Sequence, residues 1–210
     1  MNEKILLYVA DPMCSWCWGF MPVIERVRND YDQRLKVELL LGGLRPGTAH
    51  PLPAAQRQQI IGHWHAVHRL TGQPFQFEDA MPAGFIYDTE PASRAVVAVS
   101  KLNPEATFVF FRTVQFAFYV EQRNVTQPSV LSELSVEVGL EAQAFLHVFE
   151  SQMARDITQA HFQKARQLGV HGFPTLIGWH AGSYALISSG YCSFEELNPK
   201  IRQWSHLSTS

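Results

Sequence analysis

Apolar residues form short runs near the start of this 210-residue chain, and these runs predict strands of a buried sheet. Residues 5–10 are wholly apolar, and residues 35–41 form a second, mostly apolar run that ends at a Gly-Gly pair. The intervening residues 15–30 are predicted to form a helix. The apolar positions that recur at helical spacing in it are Trp18, Met21, Ile24 and Val27. Strand, helix and strand make a βαβ unit.

Helical spacing then dominates the middle of the chain, after a loop rich in Gly and Pro. Pro, Gly and Asn divide this region into five predicted helices: 54–70, 91–101, 104–121, 128–138 and 141–151. The aromatic residues of the third of these helices are predicted to pack in a core: Phe108, Phe110, Phe111, Phe116, Phe118 and Tyr119.

The last part of the chain returns to a mixed pattern. A predicted helix over 156–168 is followed by a hairpin of strands 175–179 and 184–189. A closing helix covers 195–204, with Ser193 as its N-cap. This order predicts one α/β domain, made of residues 1–50 and 155–210, with an inserted helical domain over 51–154.

Composition excludes several classes of protein. The 17 Lys and Arg residues do not exceed the 19 Asp and Glu, whereas nucleic-acid binders carry a basic excess. No apolar run approaches the ~18 residues that cross a bilayer, so no membrane partner is expected. The apolar run at 5–10 is shorter than that of a signal peptide, which predicts a cytoplasmic protein with reduced thiols.

The sequence Cys14-Ser15-Trp16-Cys17 directly follows the first predicted strand and opens the first helix. A helix N-terminus stabilises an anion, so the thiol of Cys14 is placed where a reactive thiolate is favoured. Cys17 lies one turn further, close enough to attack a mixed disulfide formed at Cys14. A C-x-x-C next to a βαβ pattern is typical of a thiol-redox site.

A zinc site is the alternative interpretation of two cysteines at this spacing. Zinc needs four ligands, but Cys192 is isolated and the nine histidines show no matching pattern, so no metal is expected. Of His63, His65 and His68, only the last two share a helix face, and a partly exposed face is predicted there.

A second candidate segment is Gly172-Phe173-Pro174-Thr175, where a proline begins a strand after a helix and a turn. Such a proline is compatible with a cis peptide bond, with an ordinary trans proline as the alternative. In a βαβ-plus-ββα arrangement the third strand lies beside the first helix, so residues 173–174 are expected to face Cys14.

This combination of motifs and element order resembles the DsbA-like branch of the thioredoxin superfamily. Residues 11–20 are especially similar to its bacterial members without a signal peptide, which are described as FrnE-like proteins or candidate protein-disulfide isomerases. The resemblance implies an α/β, thioredoxin-like fold with a helical insertion between its βαβ and ββα halves. Pro22 matches the proline that kinks the first helix of such folds.

The resemblance also implies a role for each site residue. Cys14 corresponds to the attacking thiol and Cys17 to the resolving thiol. Pro174 corresponds to the cis-proline that keeps the facing main chain open for a substrate, and Phe173 to the variable residue before it. With Ser15 and Trp16, these two residues form the expected substrate-binding set. The expected partners are protein or peptide thiols and disulfides, with glutathione as a redox partner and no bound cofactor.

One departure from the family concerns the two residues between the cysteines. The strongly oxidising periplasmic members carry a Pro-His pair there, whereas this chain has Ser15-Trp16. Because the histidine is one source of thiolate stabilisation, the Cys14–Cys17 pair is expected to be less oxidising.

Two other functions stay open at the level of sequence. Relatives with a similar insertion include glutathione-dependent kappa-class transferases and 2-hydroxychromene-2-carboxylate isomerases, in which a serine usually replaces the first cysteine. A non-catalytic redox sensor that binds a partner is the second alternative. Oxidase, reductase and isomerase activities use the same residues, so the sequence does not distinguish them, nor does it report an oligomeric state.

Three further side chains are assigned from their local pattern. Trp16 is expected to be an exposed platform for the substrate, and Trp18 to belong to the core. Cys192 is expected to be a small buried hydrophobe, with a third redox thiol as the alternative.

Overall fold

The computed structural model describes residues 4–32 and 34–207, with the main chain alone for 206 and 207, and contains a four-stranded sheet. Its strands are β1 (Ile5–Ala10), β2 (Lys36–Leu41), β3 (Thr175–His180) and β4 (Ser183–Ser189). The spatial order is β2-β1-β3-β4, with β1 parallel to β2 and antiparallel to β3, which is antiparallel to β4. The predicted α/β class, with βαβ and ββ units at the two ends of the chain, is confirmed.

The helices follow the predicted order, with shifts of a few residues at their ends. They are α1 (Ser15–Tyr31), α2 (Ala54–Thr71), α3 (Glu90–Leu102), α4 (Thr107–Tyr119), α5 (Pro128–Glu137), α6 (Ala142–Phe149), α7 (Gln152–Gln167) and α8 (Phe194–Leu207). A 3-10 turn, Pro104–Ala106, precedes α4 and was predicted as part of that helix. Of the described residues, none lies in a helix that is both long and apolar enough to cross a membrane.

The start of α7 was predicted four residues too late. Ser151 is the N-cap, and its hydroxyl accepts a 3.1 Å hydrogen bond from the Ala154 amide. Such a bond satisfies one of the free amides at a helix start, so the helix begins at Gln152. The predicted cap of α8 is confirmed, since the Ser193 hydroxyl accepts from the Glu196 amide at 3.2 Å.

Both faces of the sheet are covered by helices. On one face, Leu6, Tyr8 and Ala10 of β1 share a core with residues of α1 and α8. On the other face, Val9 packs with residues of α7 such as Ala165. Alternate residues of β1 therefore point to opposite layers, as expected of a buried strand. The chain continues from the carboxyl end of β1 directly into the start of α1, and the residues between them are buried.

The inserted helices pack directly against this α/β part. The ring of Tyr8 in β1 lies 6.2 Å from the ring of Phe111 in α4, and the two belong to one apolar core. Five of the six aromatic residues predicted as core are buried. The prediction for Phe116 is wrong, because its side chain is 41% exposed on the outer side of α4. The predicted boundary at 154/155 falls inside α7. The division into two domains stays a prediction.

Candidate active site

Cys14 occupies the junction between β1 and α1, where it is the N-cap of the helix. Its backbone is extended, with φ −92° and ψ 116°, and its carbonyl accepts from the Trp18 amide at 3.1 Å. Its own amide donates to the Asp11 carbonyl at 3.1 Å. An extended residue whose carbonyl opens the helix is the usual geometry of an N-cap. The thiol therefore lies at the helix N-terminus, as the sequence predicts.

The main chain before Pro174 lies directly beside this thiol. The Sγ atom of Cys14 is 3.7 Å from the carbonyl oxygen of Phe173, within hydrogen-bond range for sulfur. The Phe173–Pro174 peptide bond is cis. The Pro174 carbonyl accepts from the Gly190 amide at 2.8 Å, which ties this segment to the end of β4. The structure thus brings together two motifs that are 159 residues apart.

The ring of Phe173 lies against Gly42, the first residue after β2. A Cβ added to Gly42 would lie 2.0 Å from this ring, so the ring covers the bare α-carbon of that glycine. The role predicted for Phe173 in substrate binding therefore rests on its main chain. The sequence showed the Gly-Gly pair only as the end of a strand and carried no signal of this contact.

Cys17 lies one turn into α1 and is completely buried, whereas Cys14 is 6% exposed. Burial, together with the adjacent Cys14 thiol, raises the pKa of the Cys17 thiol well above its ordinary value. The Tyr8 hydroxyl reaches the Cys17 carbonyl at 3.5 Å, and burial also raises the pKa of this tyrosine. Both cysteines are free thiols in this structure. The pair is asymmetric, because only Cys14 is open to an incoming sulfur.

The residues between the cysteines are less exposed than predicted. Ser15 is buried, and Trp16 is half-buried rather than an exposed platform. The Trp16 ring packs against the ring of Tyr191 at 6.0 Å, and Tyr191 in turn contacts Phe20 at 6.3 Å. Tyr191 belongs to the site's rim and was missed from the sequence, where it stands only as a neighbour of Cys192.

Asp11 is a second residue that the sequence analysis missed. It is fully buried, and its carboxylate accepts from the Met13 amide at 2.9 Å and from the Leu44 amide at 2.7 Å. Burial raises the pKa of this carboxyl to about 6, against the opposing effect of these hydrogen bonds. Its charge also acts on Cys17. Asp11 thereby joins the end of β1 to the loop after β2 beneath the cysteines.

Cys192 is only partly buried, which differs from the prediction. Its Sγ atom lies 3.2 Å from the Ser188 hydroxyl, and it packs at the edge of the main core. The side chain follows Tyr191 on the loop that faces Trp16, so this thiol belongs to the surroundings of the site.

The zinc alternative concerns the arrangement of possible ligands among the side chains that the structure describes. No group of three or more His, Cys, Asp or Glu side chains is placed there to hold a metal ion. His63, His65 and His68 are exposed on α2, and the ring of His65 stacks on Phe77 at 4.0 Å.

The family model of the DSBA-like thioredoxin domain matches residues 5–197 of this chain. The chain belongs to this family. Because the match covers the cysteine pair, Pro174 and the whole insertion, it confirms both the predicted family and the thioredoxin-like fold.

Several solved structures superpose closely on this one. A candidate protein disulfide isomerase from Nitrosomonas europaea is 46% identical, with a TM-score of 0.93 and 98% of each chain covered. The cytosolic disulfide reductase DsbM from Pseudomonas aeruginosa is 27% identical, with a TM-score of 0.80 over 98% of this chain and 100% of its own. DsbM has also been solved with GSH, at a TM-score of 0.74, 28% identity and 98% of each chain covered.

The curated relatives are more distant and longer. The ClpXP adapter protein SpxH of Bacillus subtilis is 24% identical over 178 residues, which are 82% of this chain and 57% of that protein. SpxH of Halalkalibacterium halodurans is 22% identical over 175 residues, 80% of this chain and 56% of its own length. The chain thus spans just over half the length of the curated relatives it matches.

Proposed function

We propose that this protein is a cytoplasmic thiol–disulfide oxidoreductase that exchanges and isomerises disulfides of proteins and peptides at Cys14 and Cys17. One observation carries the proposal: the Cys14 Sγ atom sits at a helix N-terminus, 3.7 Å from the Phe173 carbonyl, with Cys17 buried one turn behind it. In this arrangement the sulfur of Cys14 can react with a substrate, and the sulfur of Cys17 can then resolve the mixed disulfide.

The exchange proceeds in two steps, in which sulfur atoms and electrons balance. The Cys14 thiolate attacks one sulfur of a substrate disulfide, forms a bond to it and releases the other sulfur as a thiolate. The Cys17 thiol then gives up its proton and attacks Cys14, which releases the first sulfur. The substrate disulfide is reduced and a Cys14–Cys17 disulfide forms. The reverse sequence oxidises a dithiol.

Isomerisation needs only the first of these steps. While the mixed disulfide persists, the thiolate released on the substrate can attack another disulfide of the same chain. A free cysteine of the substrate then attacks the sulfur bonded to Cys14 and restores the reduced enzyme. A buried Cys17 whose pKa is raised would give the substrate time for this rearrangement.

Substrate binding is assigned to the rim around Cys14. An extended peptide can align with the main chain of Phe173, which lies beside the thiol before a proline that has no N–H. Ser15 and Trp16 complete the predicted set on the side of α1. Binding through main chain suits an enzyme with many substrate sequences, because it does not select side chains.

Glutathione is the proposed redox partner, and no bound cofactor is required, since the electrons reside on the sulfurs. DsbM is described as a cytosolic disulfide reductase, and one of its structures contains GSH. These descriptions apply to that protein. They support the proposal that the present protein is also cytoplasmic and is recycled by glutathione.

Two standard assays test the proposal. The purified protein should accelerate reduction of insulin by dithiothreitol and recovery of activity from scrambled ribonuclease. Cys14→Ser should bring both rates to the uncatalysed level, while Cys192→Ser should leave them unchanged. Activity that survives Cys14→Ser would instead favour a glutathione transferase or isomerase that works through a hydroxyl.

A second candidate function is redox-dependent binding of a protein partner. The relatives described as ClpXP adapters favour it, although they are only 22–24% identical over just over half their length. A pull-down with wild-type protein under oxidising and reducing conditions tests it, with a Cys14→Ser, Cys17→Ser double variant as the control. A partner retained in one redox state only, together with inactive insulin and ribonuclease assays, would favour this function over the enzymatic one.

A further inference from the structure

Arg45 is held in place on the loop that follows β2. Its amide donates to the Thr89 hydroxyl at 3.0 Å, and its carbonyl accepts from the Thr89 amide at 3.2 Å. The preceding amide, that of Leu44, donates to the buried carboxylate of Asp11 at 2.7 Å. Because Asp11 and Thr89 are fully buried, the starting point of the Arg45 side chain is fixed relative to the segment that carries Cys14.

The Arg45 guanidinium lies near the ring of Tyr87, which contacts that segment. Its central carbon lies 5.7 Å from the ring centre of Tyr87. The hydroxyl of Tyr87 donates to the carbonyl of Met13, the residue before Cys14. Arg45 and Cys14 both act electrostatically on this hydroxyl. Tyr87 therefore contacts both the positive charge of Arg45 and the main chain before the reactive thiol.

Within the part of the chain that the structure describes, the charge of Arg45 has no ion-pair partner. Its side chain is half-buried, and no described carboxylate forms an ion pair with it. The three acidic side chains on the adjoining segments have other partners. Asp11 accepts from the Met13 and Leu44 amides, Asp88 accepts from the Gly47 and Glu90 amides, and Glu90 pairs with Arg94. Among the described residues, the guanidinium hydrogens are therefore not taken up by a carboxylate.

We propose that Arg45 binds a carboxylate of glutathione, or of a similarly small acidic thiol, while the sulfur of that thiol reacts at Cys14. The planar guanidinium matches a carboxylate with two parallel hydrogen bonds, which a neutral thiol cannot form. This assignment rests on the proposed function and identifies the substrate that recycles the enzyme. It makes Arg45 a specificity-determining residue for the small thiol rather than for the protein substrate.

The step that Arg45 assists is the reduction of the Cys14–Cys17 disulfide. A glutathione thiolate attacks Cys14, forms a Cys14–glutathione disulfide and releases Cys17 as a thiolate. A second glutathione thiolate attacks the glutathione sulfur of that disulfide, which releases glutathione disulfide and the Cys14 thiolate. Two glutathiones are oxidised for each enzyme disulfide reduced.

The test compares glutathione with its diethyl ester, which has the same thiol but no carboxylate. Second-order rate constants for reduction of the oxidised full-length protein are measured with both thiols, for the wild type, Arg45→Gln and Arg45→Lys. Arg155→Gln, an equal change of charge at an exposed residue of α7, is the matched control.

The rate constant for glutathione should fall about tenfold in Arg45→Gln and less in Arg45→Lys, since loss of one charge-assisted contact has this size. The rate constant for the ester should change much less, and Arg155→Gln should alter neither.

Two outcomes would overturn the assignment, and a third would overturn its basis. An unchanged glutathione rate in Arg45→Gln, or an equal loss with both thiols, contradicts carboxylate binding while leaving the proposed function intact. An oxidised wild-type protein that reacts with neither thiol nor with dithiothreitol contradicts the proposed function itself.

Discussion

The side-chain amide of Gln73 donates a 2.8 Å hydrogen bond to the main-chain carbonyl of Trp18, four residues before Pro22 in α1. Proline has no N–H, so Pro22 cannot supply the helical hydrogen bond that this carbonyl would otherwise receive. The indole N–H of Trp18 donates in turn to the Pro74 carbonyl at 3.0 Å. The segment after α2 thus compensates for a proline within the helix that carries both cysteines.

Gln73→Leu should therefore lower the free energy of unfolding by about 1–2 kcal/mol, because the carbonyl of the buried Trp18 loses its partner. Urea denaturation measures this loss. In a Pro22→Ala background the same substitution should cost less, since the alanine amide can donate to Trp18. An equal cost in both backgrounds would contradict the compensation.

Replacement of the buried thiol should trap the first step of exchange. Cys17→Ala leaves Cys14 able to attack a disulfide but removes the group that releases the product. Incubation with glutathione disulfide should then give a stable adduct of one glutathione per chain, detected by mass spectrometry and located at Cys14. In the oxidised wild-type protein we expect a Cys14–Cys17 disulfide with Cys192 free. A bridge to Cys192 would make that cysteine a third redox thiol.

The buried carboxyl of Asp11 should make stability depend on pH in the mildly acidic range. Its pKa is raised from 3.8 to about 6, so the folded state binds the proton more tightly than the unfolded state does. The contribution of Asp11 to the free energy of unfolding is then largest below pH 4. It falls as the pH rises toward 6 and is constant at higher pH. The change amounts to about 3 kcal/mol.

The free energy of unfolding, measured from pH 4 to 7, should lose this decrease with rising pH in the Asp11→Asn variant. Asp156→Asn, an exposed change of the same kind on α7, should retain it. If Asp11→Asn and the wild type show the same slope, the carboxyl does not titrate in this range.

The contact between Gly42 and Phe173 should be sensitive to a single methyl group. Gly42→Ala would place a carbon 2.0 Å from the Phe173 ring, so the ring must move, at a cost of about 1–3 kcal/mol. Because the Phe173 carbonyl faces Cys14, the insulin reduction rate should fall as well. Gly62→Ala in α2 meets no atom within 4 Å and should instead stabilise the helix by about 0.5–1 kcal/mol. Full activity in Gly42→Ala would show that the ring position does not control the site.

The reduction potential of the cysteine pair should lie below the ~−120 mV of a strongly oxidising periplasmic enzyme. No histidine stands between Cys14 and Cys17, and the Phe173 carbonyl beside the Cys14 sulfur offers no hydrogen to it. Equilibration with a series of glutathione buffers measures the potential. A value near ~−120 mV would contradict this expectation.

The sequence was sufficient for features that depend on neighbouring residues. Strands, helices and the placement of Cys14 at a helix start follow from apolar spacing, proline and glycine, all of which act over a few residues. The errors have two sources: a local cap signal that the apolar spacing does not contain, and a contact with a residue far along the chain. The start of α7 depends on the Ser151 cap, and the burial of Trp16 depends on Tyr191, which lies far along the chain.

The sequence by itself determined the element order, the family resemblance and the dithiol motif of this protein. The sequence also predicted that residues 173–174 face Cys14. Only the tertiary structure decided that the Phe173 carbonyl is the group that meets its sulfur, that Asp11 is buried close to the pair, and that Arg45 contacts Tyr87 with no ion-pair partner among the described residues. These features depend on which surfaces pack together, and on how much water that packing removes from a charge or a thiol. The local sequence pattern predicts where a reactive group lies along the chain, whereas burial and long-range contacts determine its reactivity.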